Sequence, residues 1–177
     1  IVLHHTVSAT ESSVFNWWNQ DGVKVAVAFV IDKDGTVYEY FDPKYWSYHL
    51  GGKISKIHNI NSIGIELVNE GCLTKLENDF HWFNNKNKYV GEVYEFNWRN
   101  NNYWATYTDK QFDSLVQLLK LLTNKFNIPA KVCSHYNYDI NLLENFSGII
   151  SHCNVRADKT DISPALNLNL LQQKLGE

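Results

Sequence analysis

The chain reads as an α/β domain, with a central mixed β-sheet flanked by helices. Three observations carry this reading. Apolar, β-branched-rich runs at 1–5, 25–31 and 62–69 have the length and composition of buried strands. A segment at 108–122 repeats its apolar residues at helical spacing. Strands and helices also interleave along the chain, the order that places helices against a mixed sheet. The 177 residues suit a single domain, 1–177, with enough interior for a substantial core.

Taken in order, residues 1–5 form a short buried strand, and Thr10 is placed to cap a helix over 11–19. The run Val25-Ala26-Val27-Ala28-Phe29-Val30-Ile31 leads into Asp32-Lys33-Asp34-Gly35, which has turn chemistry. Residues 36–41 alternate β-formers with polar groups, so the pair predicts a hairpin. The segment 62–69 predicts a central strand in which Gly64 marks a close backbone approach. Residues 74–106 are rich in Asn, aromatics and Lys and lack clear periodicity; they read as a long surface insertion over the cleft, with short strands at 90–96. Thr108 and Gln111 have the spacing of a capping box, and Phe112, Leu115, Val116, Leu119 and Leu122 then share one helix face until Ile128-Pro129. A short strand at 131–134, a loop with a helical turn over 135–148, the apolar pair Ile149-Ile150 and a closing helix over 164–174 complete the reading.

Bulk properties exclude several classes. Hydrophobic content of 44% and charged content of 20% are those of an ordinary globular protein. A net charge of -3 gives no basis for a nucleic-acid partner held through phosphates. No run approaches the roughly 18 apolar residues of a membrane span. Cys72, Cys133 and Cys153 are odd in number and widely spaced, so they make no disulfide framework and do not report the compartment; one pair and free buried thiols both fit. A start inside an apparent strand, without Met, reads as an excised or processed domain, so a missing targeting segment says little about the parent protein.

The residues able to do chemistry sit at the two ends. His4 and His5 close the first strand, and His152 and Asp161 lie in one segment near the other end, with Cys153 and Asp158 close by. Two imidazoles and a carboxylate would leave the fourth position of a tetrahedral zinc open, which is the arrangement of a catalytic site. Water bound there can be acidified to attack a carbonyl, so the set points to a hydrolase. Neighbours on a strand face opposite ways, so only one of His4 and His5 can reach a given metal. Asp158 competes with Asp161, whereas Cys153 adjoins His152 and is better read as packing. Glu66 shares a strand face with Gly64 and Val68, where a carboxylate is costly to bury without a partner. A metal-bound water would supply that partner and make Glu66 a general base; pairing with Arg or Lys is the structural alternative. The tryptophans are more often core than sugar contacts, and none is assigned to a glycan. His58, His81 and His135 have no motif around them.

Four motifs resemble a known family when taken in order. They are Leu3-His4-His5-Thr6; the hairpin Phe29 to Tyr38 followed by Ser47-Tyr48-His49-Leu50-Gly51; Asn61-Ser62-Ile63-Gly64-Ile65-Glu66-Leu67; and His152 through Lys159-Thr160-Asp161. Together they resemble the zinc-dependent N-acetylmuramoyl-L-alanine amidases of the amidase-2 type, whose fold is shared with peptidoglycan recognition proteins and amidase-type phage lysozymes. The resemblance implies Zn2+ held by His4, His152 and Asp161, with Glu66 as general base. It also implies that Lys159 stabilises the oxyanion and that His49 lies at the cleft rim, touching substrate or oxyanion. The implied substrate is peptidoglycan or muropeptides, cut between N-acetylmuramic acid and L-alanine, which implies a periplasmic, extracellular or phage-delivered site of action. The sequence departs from the usual pattern: Ser151 stands where Gly is common, the His152–Asp161 interval is one residue shorter than the commonest form, Ile162-Ser163 intervene before Pro164, and the 74–106 and 135–148 segments are larger than in compact members. The alternative is a non-catalytic peptidoglycan-binding module of the same fold. A zinc peptidase cutting within the stem and a thiol hydrolase built on Cys153 are more distant readings.

Overall fold

The computed structural model describes residues 1–52 and 54–177. Strand β1 (Val2–His5) and helix α1 (Glu11–Trp18) are followed by the hairpin of β2 (Phe29–Ile31) and β3 (Val37–Glu39). A short helix α2 (Lys56–Ile60) then precedes β4 (Gly64–Leu67). Five strands come next in succession: β5 (Cys72–Leu76), β6 (Asp79–Trp82), β7 (Asn87–Tyr89), β8 (Val93–Trp98) and β9 (Asn101–Ala105). The long helix α3 (Asp109–Lys125), the short α4 (Leu142–Asn145), β10 (Ile150–Ser151), the helical turn α5 (His152–Val155) and α6 (Leu168–Gly176) complete the chain.

The main sheet has the order β10-β1-β4-β2-β3, parallel except for the β2–β3 hairpin, and is therefore mixed, as the sequence predicts. One face carries Leu3, Phe29, Ile31, Ile65 and Leu67, which form the principal core with Leu115, Leu119 and Leu122 of α3 and Leu171 of α6. The other face carries Val2, His4, Gly64, Glu66 and Val30, because parallel register pairs Val2 with Gly64, His4 with Glu66, and Glu66 with Val30. Helix α1 covers part of this face through Trp18, which packs with Val27, Val30 and Val68. Thr10 caps α1 by accepting from Ser13 N (3.3 Å). The capping box of Thr108 and Gln111 forms at the start of α3. Gln111 is buried and its amide also donates to Ile31 O (3.1 Å) and Val68 O (2.8 Å), which fixes α3 to the ends of two strands. The close approach at Gly64 is real: a Cβ there would lie 2.6 Å from Val27 Cγ1 and 3.1 Å from the His49 ring.

Three local readings change. Residues 74–106 form most of a second sheet, ordered β7-β6-β5-β9-β8 and antiparallel throughout. Most of its residues are exposed or half-buried on both faces, so no alternation marks these strands in the sequence. They are held by aromatic packing, with Phe80 5.0 Å from Tyr103 and Trp98 5.5 Å from the fully buried Trp104, whose Nε1–H donates to Phe96 O (2.8 Å). The closing helix starts at Leu168, where Asn167 accepts from Leu170 N (2.9 Å), and not at Pro164. The short strand expected at 131–134 is a single bridge between Val132 and Ile149. No helix among the described residues is long and apolar enough to cross a membrane. The three cysteines are free, Cys72 exposed and Cys133 and Cys153 buried.

Candidate metal centre

Parallel pairing of β1 with β10 and β4 brings the two chain ends together: Val2 lies opposite Ile150 and Gly64, and His4 opposite Glu66. His4 and His5 separate as strand geometry requires. His4 faces the site, while His5 turns to the other side, where its Nδ1 meets the Tyr107 hydroxyl (3.1 Å). His152 opens α5 directly after β10, and Asn154 Oδ1 accepts from Ser151 N (2.8 Å) to fix that turn. The shortened loop after His152 is closed by Cys153 N donating to Asp161 O (2.6 Å), which swings the Asp161 carboxylate back under His152.

The three side chains converge through one atom each. His4 Nδ1 lies 3.0 Å from His152 Nδ1 and 3.1 Å from Asp161 Oδ2, and His152 Nδ1 lies 2.8 Å from the same oxygen. All three residues are buried. Hydrogen bonding behind the rings decides what these atoms present. The Leu50 and His58 carbonyls can only accept. His152 Nε2–H therefore donates to Leu50 O (2.9 Å), which leaves Nδ1 bare in the neutral ring. Ser62 Oγ–H donates to His58 O (2.6 Å), so His49 Nε2–H donates to Ser62 Oγ (2.9 Å) and His49 Nδ1 accepts from His4 Nε2–H (3.0 Å). Burial, reinforced by the neighbouring His4 and His152, holds His49 well below the usual histidine range. Burial likewise lowers His4 to about 4, so its Nδ1 is bare as well. Burial pushes Asp161 up, but its contacts with His152 and then His4 outweigh that and hold the carboxyl well below the usual range.

An anionic oxygen and two imidazole lone pairs thus face one another with one positive charge missing. A metal cation would supply it. Donors bonded tetrahedrally to zinc at roughly 2.0–2.1 Å stand about 3.3 Å apart, so the triangle has the right scale and the right nitrogen and oxygen chemistry. His4, His152 and Asp161 are also the one group among the described residues whose ligand atoms converge in this way.

Glu66 rises from the same sheet face beside His4. Part of its surface faces the cleft, but Oε2 is buried and has no hydrogen-bond partner among the described residues. Burial raises its carboxyl to about 8, the charge of Asp161 adds to the rise, and Lys159 opposes it. Lys159 is half-buried in the loop between His152 and Asp161, with no carboxylate in salt-bridge contact among the described residues. His49 lies elsewhere than the rim expected of it: it is 5% exposed and sits behind His4. Cys153 is fully buried and its thiol is pushed up to about 12, so it is no nucleophile.

Sequence reasoning missed Arg99, at the tip of the β8–β9 hairpin. Its guanidinium donates to the carbonyls of Cys153 (3.0 Å), Ala157 (3.0 Å), Arg156 (3.4 Å) and Lys159, and so holds the loop between His152 and Asp161. Carbonyl contacts of this kind leave no signature in a sequence.

A histidine at the end of β1, a histidine directly after β10 and an aspartate in the loop beyond it, beside a glutamate of β4, have the equipment of a hydrolytic metal site. The sequence matches the N-acetylmuramoyl-L-alanine amidase family (Amidase_2) over residues 1–164, and the chain belongs to that family. No curated protein matches it in sequence. Among solved structures it is similar to the amidase AmiD from E. coli, in complex with the substrate anhydro-N-acetylmuramic acid-L-Ala-D-gamma-Glu-L-Lys (TM-score 0.65, 16% identity, 98% of this chain and 55% of that one). It is also similar to AmpDh3 from Pseudomonas aeruginosa in complex with anhydromuramic pentapeptide (0.60, 15%, 98% and 58%). A third is the amidase LysC from Clostridium intestinale (0.55, 19%, 99% and 83%). The chain therefore spans little more than half the length of AmiD and AmpDh3.

Proposed function

We propose that this domain hydrolyses the amide between the lactyl group of N-acetylmuramic acid and L-alanine in peptidoglycan, with Zn2+ held by His4, His152 and Asp161. The observation that carries the reading is the convergence of three buried acceptor atoms beside Glu66, whose buried Oε2 has no partner. Bound zinc would acidify a water and polarise the amide carbonyl. Glu66 takes the proton of the attacking water and delivers it to the departing amine, a task suited to a carboxyl whose proton affinity is raised by burial. Lys159 places a positive charge beside the carbonyl oxygen as it becomes an oxyanion. His49 acts through His4, whose ring and tautomer it fixes. Muropeptides are the supported substrate class, since AmiD and AmpDh3 were solved with such molecules and the fold is shared over nearly all of this chain.

The test pairs metal content with product analysis. Wild type should hold about one zinc per chain and release stem peptides bearing a free L-Ala amino group from muropeptides. His152→Ala should lose the zinc, and Glu66→Ala should keep it while releasing no peptide. Zinc without cleavage of any peptidoglycan type would instead make the domain a binding module.

A further inference from the structure

The backbone around Asp161 is held on both sides. On one side its carbonyl accepts from Cys153 N (2.6 Å). On the other, Ser163 reaches the Tyr107 hydroxyl through both its N–H (3.4 Å) and its Oγ (3.3 Å). Ser163 belongs to the pair that intervenes before Pro164, and a proline in its place would have no N–H to give. The same Tyr107 hydroxyl lies 3.1 Å from His5 Nδ1. His5 follows His4 on β1. A chain of contacts from His5 through Tyr107 to Ser163 therefore ties the strand that carries His4 to the loop that carries Asp161.

The direction of these hydrogen bonds follows from what each group can do. Ser163 is fully buried, and the Tyr107 oxygen is the one acceptor in reach of its Oγ–H among the described residues. Both Ser163 donors therefore point at that oxygen, and the Tyr107 O–H donates to His5 Nδ1. Burial pushes the phenol above the usual tyrosine range, so its proton stays in place. The His5 ring has room because Gly71 lies over it: a Cβ there would be 2.9 Å from Nε2.

Tyr107 is itself anchored through its two neighbours. The buried Asn69 amide donates to Thr106 O (2.9 Å), and Thr108 Oγ–H donates to Lys33 O (2.6 Å) at the head of α3. The phenol oxygen is thus set by the sheet and α3, and the loop comes to it. Ligand constellations have to be held to about 0.5 Å, which a loop tied at one end does not achieve. His4 Nδ1 and Asp161 Oδ2 stand 3.1 Å apart across this link.

We propose that Tyr107 is a positioning residue of the metal centre: braced by His5, it pins Ser163 and so sets the distance from His4 to Asp161. This rests on the metal reading above only for what that distance serves.

Tyr107→Phe keeps the ring and removes the hydroxyl. Its Zn2+ affinity, read by competition with a chromophoric chelator, should fall roughly three- to tenfold, less than the 10–100-fold typical of a group bonded directly to a ligand. In metal-free protein the imidazole 15N resonances of His4 and His152 should move, while those of His58 on α2 and His81 on β6 stay in place. His5→Asn, whose Oδ1 can accept where Nδ1 does, should keep most of the affinity that His5→Leu loses. Should Tyr107→Phe fail to fold, the two His5 variants carry the same comparison. A role confined to packing would lower the melting temperature equally with and without Zn2+ and leave both affinity and resonances alone. That result overturns the proposal, as do equal losses in His5→Asn and His5→Leu. If wild type takes up no Zn2+, the metal reading fails, and the metal-free resonances still decide whether Tyr107 sets the spacing of His4 and Asp161.

Discussion

Replacing His49 by Phe tests whether the buried chain from His4 to His58 sets the metal affinity. Phenyl fills nearly the same space beside Gly64 and Val27 but cannot accept a hydrogen bond. His4 Nε2–H would lose the acceptor now 3.0 Å away and be left buried. An unsatisfied buried donor costs about 1–3 kcal/mol. The ring can escape that cost by moving its proton to Nδ1, which already lies 3.1 Å from Asp161 Oδ2 and can donate to it. That tautomer blocks the very lone pair a metal needs, so the cost reappears on binding. Loss of such support typically weakens metal binding by about 10–100-fold, equivalent to roughly 1.4–2.8 kcal/mol. Competition with a chromophoric chelator at fixed pH measures the affinity, and 15N NMR of the imidazoles reports which His4 nitrogen carries the proton. His49→Gln, whose amide oxygen can accept, should recover part of the loss. If His49→Phe bound zinc within twofold of wild type, the hydrogen-bond chain would have no part in setting the ligand tautomer.

Three further outcomes follow from the same geometry. In metal-free protein the raised carboxyl of Glu66 favours folding while it stays protonated: the contribution is complete below about pH 4.5 and is lost as pH rises towards about 8. Melting temperature should therefore decline across that window and decline less in Glu66→Gln; parallel curves would show that Glu66 does not titrate there. Zinc should raise the melting temperature of wild type by mass action and leave Asp161→Asn nearly unchanged, as calorimetry at fixed pH would reveal. Arg99→Ala removes the shared donor to four loop carbonyls, so hydrogen exchange should quicken across residues 153–159 and not in α3, with a stability loss of about 2–3 kcal/mol in urea. Uniform quickening would mean that Arg99 supports the fold at large and not that loop.

The parts of the site legible in the sequence are those fixed by strand geometry. Alternation separates His4 from His5, and the same alternation puts Glu66 on the face opposite Ile65 and Leu67. A slip of one residue in β1 would carry His4 into the α3 core, so the apolar pattern that buries Leu3 also aims the proposed ligand. The capping box at Thr108 was equally readable, because it is local. His49 was not, since nothing local tells a histidine beneath a proposed ligand from one at a rim; its place depends on Gly64 of β4 leaving room for the ring. The second sheet was hidden for a different reason. Strands exposed on both faces show no period of two, and aromatics placed to pair across strands look like scattered composition.

That difference bears on what each part does. The proposed metal set depends on burial and register, and burial and register leave a pattern. The second sheet buries little, yet it places Arg99 on the loop that carries Lys159, and Trp82 and Phe83 along a groove that leads to Glu66. A scaffold that only filled space would be expected to turn such rings inward. Trp82 is half-buried and Phe83 stands in the open, in a backbone conformation that glycine would adopt far more readily. Substitutions in the second sheet should accordingly change which substrates the site accepts more than whether it binds metal, and those at His4, His152 and Asp161 should do the reverse.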